Sequence, residues 1–90
     1  MVSVISVPEI VDATSATKLA KQLLELRNSD VTLDAAGITR FSAFGLEVLV
    51  AAARQWQADG QVFDVTNWSD EALISLQVLG ADPEDFLAEI

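Results

Sequence analysis

The sequence predicts an α/β fold, with a small open sheet of three to four mostly parallel strands packed with about four helices. Three short apolar segments have the length and composition of strands, and a longer segment with apolar residues at helical spacing follows each of them. This alternation is typical of parallel sheets whose strands are joined by right-handed crossovers. Because 90 residues suffice for one small core, we expect residues 1–90 to form a single domain.

The first strand and the first helix occupy the beginning of the chain. A short apolar run over residues 2–7 predicts a strand, and Pro8 prevents that strand from extending far. Residues 9–12 turn the chain into a helix, which ends before a polar break at residues 28–30. The residues of this helix that are expected to face the core are Ala16, Leu19, Ala20, Leu23 and Leu24.

The second strand and the second helix follow that break. Residues 31–35 are predicted to form the strand, and residues 37–41 connect it to Ser42. From Ala43 to about Ala58 the pattern is helical and apolar almost all round. Both sides of this helix are therefore expected to be covered, one by the sheet and the other by a neighbouring helix or a partner.

The last third of the chain predicts a strand and two helices. Gly60 stops the preceding helix, and residues 61–65 form the third strand. Ser69 is expected to cap the next helix, because two acids that complement the helix dipole follow it directly. The inner face of that helix is predicted to consist of Ala72, Leu73, Leu76 and Leu79, and Gly80 ends it. A terminal helix that starts at residues 82–85 is expected to pack Phe86, Leu87 and Ile90 against the body.

Composition excludes several classes of function. The formal net charge is -9, from 14 acids and 5 bases, so we expect no binding to nucleic acid and favour a cationic protein partner. No apolar run is long enough to insert into a membrane and no signal peptide is visible, so the expected location is cytoplasmic. The acids are scattered and Cys and His are absent, so we expect no metal and no cofactor.

Residues 31–54 carry a motif of known type. Leu33 and Asp34 end the predicted strand, Gly45 and Leu46 open the helix, and an apolar helical segment follows. With the turn at residues 9–12, this order resembles the signature of STAS domains, the family of anti-sigma-factor antagonists and of modules attached to sulfate transporters. The chain is most similar to short, free-standing bacterial members of that family.

Two departures from the family pattern matter. In the antagonists, a partner kinase phosphorylates the first Ser after a signature Asp; aligned on Gly45, that position is Ala43 and the Asp position is Ser42. Ala43 cannot accept a phosphoryl group. The chain also lacks two strands that longer members have, so at least one edge strand of the sheet is expected to be unpaired. A homodimer is therefore possible, because an unpaired edge strand can pair with a second copy.

The resemblance implies a non-enzymatic regulatory protein that binds another protein. The implied partner is a regulatory kinase, an anti-sigma factor or a chemotaxis-type histidine kinase. The alternative is an accessory subunit that clamps the ATPase of a lipid-transport-type ABC transporter. Catalysis is not expected, because the only basic residue near Ser42 in the sequence is Arg40, and a guanidinium is a poor base.

The predicted partner-binding residues surround the Ser42 loop. They are Asp12, Asp34, Arg40, Ser42, Ala43, Phe44, Gly45 and Leu46. Ser42 either caps the helix, its hydroxyl accepting a bond from a backbone N–H of the first turn, or serves as a displaced phosphoacceptor.

Other residues of this region also have two interpretations. Asp34 either accepts bonds from loop amides or positions groups of a partner, and Asp12 either caps the first helix or lines the same sheet edge as Asp34. Phe44 is either an apolar contact beside the loop or packs under the next loop. Trp56 is expected in the core, whereas Trp68 is either a core residue or an interface anchor.

Overall fold

The computed structural model describes residues 2–86 and confirms the α/β fold. A three-stranded parallel sheet has the order β1-β3-β5, and a second, two-stranded parallel sheet joins β2 to β4. The strands are β1 (Val2–Ser6), β2 (Ile10–Val11), β3 (Asp30–Asp34), β4 (Arg40–Phe41) and β5 (Phe63–Thr66). The helices are α1 (Ala13–Glu25), α2 (Ala43–Asp59), α3 (Asp70–Val78) and a 3-10 helix at Pro83–Phe86.

The α-helices of the described residues number three, where the sequence predicted about four helices. The fourth predicted helix begins as the 3-10 turn at Pro83–Phe86. Phe86 is fully buried there, which confirms that it packs against the body. The parts of that prediction that concern Leu87 and Ile90 lie outside the described residues.

The main sheet buries one of its two faces. Ile5, Leu33 and Val65 are aligned across the three strands, and all three are buried. Side chains of neighbouring residues in a strand point to opposite faces. The adjacent row, in which Val4 is 70% exposed, therefore lies on the opposite face, and the helices cover the first face only.

Helix α1 packs on this covered face and against α2. Ala16, Leu19 and Leu23 are buried, as predicted, and Ala20 is half-buried. The expectation for Leu24 is wrong, since its side chain is 64% exposed. Leu24 follows Leu23 by about 100° around the helix, which turns it towards the rim of a groove between α1 and α2.

Helix α2 is buried along the side that faces the sheet. Leu49, Ala53 and Trp56 are buried on that side, and the indole N–H of Trp56 donates a hydrogen bond to the Ser29 carbonyl at 2.8 Å. The expectation that both sides are covered holds only in part, because α1 packs against the second side but leaves it partly open. There, half-buried Val48 and exposed Ala51 line a groove of about 340 Å³ between the two helices.

The small sheet was not predicted, because residues 37–41 were expected to be a simple connection. Val11 and Phe41 pair within it, and both are buried. Two strands of two residues each are too short to show a period in the sequence. Their pairing places the beginning of α1 beside the beginning of α2.

Helix α3 begins at the predicted cap but buries fewer residues than expected. The Ser69 hydroxyl accepts a hydrogen bond from the Ala72 N–H at 3.1 Å. Ala72 and Leu76, one turn apart, are buried, whereas Leu73 and Leu79 are 40% and 37% exposed. The expected inner face is therefore wrong for Leu73 and Leu79, because this helix touches the body along a single narrow stripe.

Trp68 belongs to the packed interior beside α3. Its ring lies 6.2 Å from the ring of Phe41 and 5.7 Å from that of Phe86, measured between centroids. This packing favours the core interpretation over the interface anchor. In the part of the chain that the structure describes, no helix is long and apolar enough to cross a membrane.

One ion pair links the end of α1 to the end of α2 and predicts a pH dependence of stability. Arg27 donates hydrogen bonds to Asp59 at 3.2 and 3.1 Å, and these bonds hold the pKa of the Asp59 carboxyl below its ordinary value of 3.8.

A carboxyl whose pKa is lowered by folding stabilises the protein above its unfolded pKa and loses that contribution as pH falls through the folded pKa. We expect Asp59→Asn to lower the free energy of unfolding near neutral pH, with the difference from wild type shrinking below pH 3.8. Urea unfolding at a series of pH values measures this, and a difference independent of pH would contradict the ion pair.

Candidate functional site

Helices α1 and α2 begin side by side at one edge of the domain. Val11 and Phe41 are partners in the small sheet, and the next residue of each strand, Asp12 and Ser42, is the N-cap of the helix that follows. The Ser42 N–H donates to the Val11 carbonyl at 3.0 Å. Two helix N-termini, each an electropositive end, therefore lie next to each other.

Asp12 is bound into the start of α1. Its carboxylate accepts a hydrogen bond from the Ser15 N–H at 3.0 Å, and the Ser15 hydroxyl accepts one from the Asp12 N–H at 3.0 Å. The bond from the Ser15 N–H is the main cause that holds the pKa of the Asp12 carboxyl below its ordinary value. Asp12 thus caps the helix and remains exposed at the site edge.

Ser42 does not make the capping bond that the sequence led us to expect. Its backbone has the extended conformation of an N-cap, but its side chain bonds to no N–H of the first turn. The hydroxyl oxygen is buried and has no hydrogen-bond partner within residues 2–86. Since a kinase needs access to that oxygen, this conformation does not offer Ser42 as a phosphoacceptor.

Gly45 sets the position of the first turn of α2. A Cβ atom at Gly45 would lie 2.5 Å from Cγ1 of Val11 and 3.0 Å from Cε2 of Phe41. Only a glycine allows the helix to lie this close to the small sheet. Gly45 faces inward, so Phe44 faces outward and is 56% exposed. The interpretation that Phe44 packs under the next loop is wrong, whereas Leu46 is half-buried against the core.

Asp34 and Arg40 have different positions in this region. The Asp34 carboxylate, at the end of β3, accepts a hydrogen bond from the Ala36 N–H at 3.0 Å and one from the Asn67 amide at 3.5 Å. Within residues 2–86, no hydrogen bond joins it to Asp12 or Ser42. Arg40 is exposed in β4. The pairing of the small sheet places Asp12 beside Ser42. Exposed Arg40, Ala43 and Phe44 lie within two residues of Ser42 in the chain. Asp34 supports the loop that follows it.

The comparison with family models decides what kind of domain this is. A model described as "Mlab, STAS domain" matches residues 2–88. The chain belongs to the STAS domain family. STAS domains are generally non-catalytic and bind other proteins, which fits a regulatory or protein-binding role. No curated protein and no solved structure matches the chain.

Two features of this STAS domain were not foreseen from the sequence. The first is that the loop before β4 is held from two sides. The Ser69 hydroxyl at the start of α3 donates to the Ile38 carbonyl at 2.5 Å, and the Thr39 N–H donates to the carbonyl of Glu9, before β2, at 2.8 Å. The second feature is the α1–α2 groove. The apolar second side of α2 in the sequence is consistent with this groove, but a neighbouring helix or a partner was expected to cover that side.

The STAS domain offers no multidentate metal site in the part that the structure describes. Within residues 2–86, no three side chains of the His, Cys, Asp or Glu type come together in a way that would hold a metal ion. The acids of the site region, Asp12 and Asp34, are each engaged with backbone N–H groups. The exposed residues around the start of α2 include one aromatic ring, Phe44, and two charged side chains, Asp12 and Arg40.

Gly45 predicts a large difference between two glycine substitutions. We expect Gly45→Ala to destabilise the domain by about 1 to 3 kcal/mol, because the new methyl group overpacks the contact with Val11 and Phe41. This loss outweighs the gain in helix propensity, which is about 1 kcal/mol. Gly37→Ala is the matched control, since nothing lies within 4 Å of its Cβ position. Thermal unfolding measures both, and equal stability of the two variants would contradict the close approach.

Substitution by alanine is expected to change the free energy of unfolding differently at Ser42 and at Ser69. Ser42→Ala removes a buried hydroxyl that has no partner, so we expect its free energy of unfolding to stay within about 0.5 kcal/mol of wild type, or to rise. Ser69→Ala removes a cap and a bond to the Ile38 carbonyl, so we expect a loss of about 1 to 2 kcal/mol. Chemical unfolding of the two variants and of the wild type measures these differences. A loss for Ser42→Ala as large as that for Ser69→Ala would support the interpretation of Ser42 as a helix cap.

Proposed function

We propose that this STAS domain is a protein-docking module of the cytoplasm that binds its partner through a docking surface formed by Asp12, Arg40, Ala43 and Phe44. The observation that carries the proposal is Phe44, an aromatic ring that is 56% exposed in the first turn of α2. Gly45 fixes that turn against the small sheet, so the ring is presented by a rigid element. Aromatic residues, Phe among them, are enriched in interfaces between proteins.

The neighbours of Phe44 suit a partner surface. Exposed Asp12 follows β2 and exposed Arg40 lies in β4, so this edge of the domain carries both a negative and a positive charge. An apolar centre with a polar rim is the usual anatomy of an interface between proteins. Half-buried Leu46 supports the helix from the core side.

We further propose that docking does not depend on serine phosphorylation. Ala43 has no hydroxyl, and the Ser42 oxygen is buried. A phosphate would add about two negative charges to a chain whose net charge is already -9. Any regulation of binding therefore acts on the partner rather than on this surface.

The leading partner class is a regulatory protein kinase or an anti-sigma factor, including a chemotaxis-type histidine kinase. A second class is the ATPase of a lipid-transport-type ABC transporter. One observation favours the second class: a permanently bound accessory subunit needs no phosphorylation switch, and this domain presents no accessible hydroxyl at either signature position.

Substitution of Phe44 tests the docking surface. We expect Phe44→Ser to weaken binding of the partner at least tenfold, which corresponds to about 1.4 kcal/mol, because the ring is the main apolar group that the interface would bury. Val4→Ser is the matched control, since Val4 is also exposed but lies on the open face of the sheet. Titration calorimetry with the purified partner gives both affinities. Equal affinities for wild type and a folded Phe44→Ser protein would exclude this surface.

Purification from the cells that make the protein separates the two partner classes. Tagged wild-type protein and the Phe44→Ser variant are purified in parallel, and the proteins that depend on Phe44 are identified by mass spectrometry. A kinase or anti-sigma factor supports the leading class, and an ABC ATPase supports the second. Intact-mass measurement of the same sample is expected to show no phosphate, and a phosphate on Ser42 would overturn docking without a switch.

A further inference from the structure

The charge of this chain is distributed very unevenly. Residues 1–54 contain six acids and five bases, whereas residues 55–90 contain eight acids and no base. Residues 55–90 therefore carry nearly the whole net charge of -9. Helix α3 lies within this segment.

Helix α3 presents apolar side chains to solvent in this acidic segment. Ile74 and Val78 are 62% and 82% exposed, and Leu73 is 40% exposed. Ile74 and Val78 are four residues apart, so they lie on one face of the helix, away from buried Ala72 and Leu76. We call Leu73, Ile74 and Val78 the α3 patch.

Acidic side chains flank the α3 patch at the start of the helix. Asp70 and Glu71 precede Ile74 by four and three residues, so they share its face, and both are exposed. Asp82, four residues after Val78, follows the turn at Gly80. The salt bridge found within residues 2–86 joins Arg27 to Asp59, so no cation of that part of the chain neutralises Asp70 or Glu71.

We propose that the α3 patch is a second docking site, separate from the Phe44 surface, for a protein segment whose apolar side chains are flanked by Lys or Arg. Burial of the exposed Ile74 and Val78 side chains supplies the apolar part of the binding energy. The unpaired carboxylates select a cationic rim and raise the rate of encounter with it. A helix with Leu on one face and Lys beside it has this chemistry.

The same charges disfavour the other occupants of an apolar helix face. A second copy that packed its α3 against this α3 would place Asp70 and Glu71 against a like-charged surface. An anionic membrane and a nucleic acid are repelled for the same reason. A basic protein segment is the occupant that uses both the apolar and the acidic side chains.

Two synthetic helical peptides test the proposal in solution. One carries Leu on one face and Lys on the other, and its partner replaces every Lys with Glu. Backbone amide resonances of the full chain are recorded by NMR during titration with each peptide. We expect the Lys peptide to shift resonances of residues 70–78, with an affinity that falls as salt is added, and the Glu peptide to leave them unchanged.

Variants separate the apolar contribution from the charge. The double variant Ile74→Ser/Val78→Ser is expected to bind the Lys peptide at least tenfold more weakly than wild type. The variant Asp70→Asn/Glu71→Gln is expected to lose most of the salt dependence. Circular dichroism checks that each variant keeps its helices. Val4→Ser removes an exposed Val outside the α3 patch, so it is the control and is expected to bind the Lys peptide as wild type does.

Several outcomes would overturn the proposal. These are resonance shifts centred on the α1–α2 groove or on Phe44, equal binding of the Lys and Glu peptides, and unchanged affinity of the folded Ile74→Ser/Val78→Ser variant. A dimer that forms through α3 in sedimentation would assign the patch to a second copy. Adsorption through α3 to vesicles that contain phosphatidylglycerol would assign it to a membrane. Because Phe44 is intact in all these variants, failure here leaves the proposed function of the Phe44 surface standing.

Discussion

The close approach of α2 to the small sheet at Gly45 is the contact on which the functional edge depends. Since no side chain separates the helix from Val11 and Phe41, the first turn of α2 is pressed against β2 and β4. The same contact directs Phe44 outward and Leu46 towards the core. A residue larger than glycine would push the helix away and change the direction of both side chains. The STAS signature glycine of this chain, Gly45, therefore has a steric role, because its lack of a side chain permits the first turn of α2 to lie against the small sheet.

A second constraint fixes the loop that leads to this turn. Ser69 caps α3 and also donates to the Ile38 carbonyl, so α3, the loop and β4 are connected through one hydroxyl. Phe41, Trp68 and Phe86 pack beneath them. The contact surface at Phe44 and the α3 patch are thus built on one scaffold, yet they differ in charge. The first has both Asp12 and Arg40 at its edge, and the second has acids only.

Elements whose pattern extends over several residues could be predicted from the sequence. Features that depend on a single tertiary contact could not. The alternation of the main strands and helices along the chain, the bounds of α2 and the Ser69 cap follow from periodicity and capping preference, which are local properties. The small sheet escaped because its strands have two residues each. Leu24 and Leu73 satisfied helical spacing, but whether a neighbouring element covers them depends on tertiary packing. The burial of the Ser42 hydroxyl likewise depends on tertiary packing, which no local pattern contains.

The proposed partner protein binds an exposed surface around Phe44, without a serine phosphorylation switch. Hydrogen–deuterium exchange of the full chain, with and without the partner that co-purifies with it, maps that contact directly. We expect slower exchange at residues 40–48 in the complex, with protein that carries no phosphate. Unchanged exchange at residues 40–48, together with protection elsewhere, would contradict docking through Phe44.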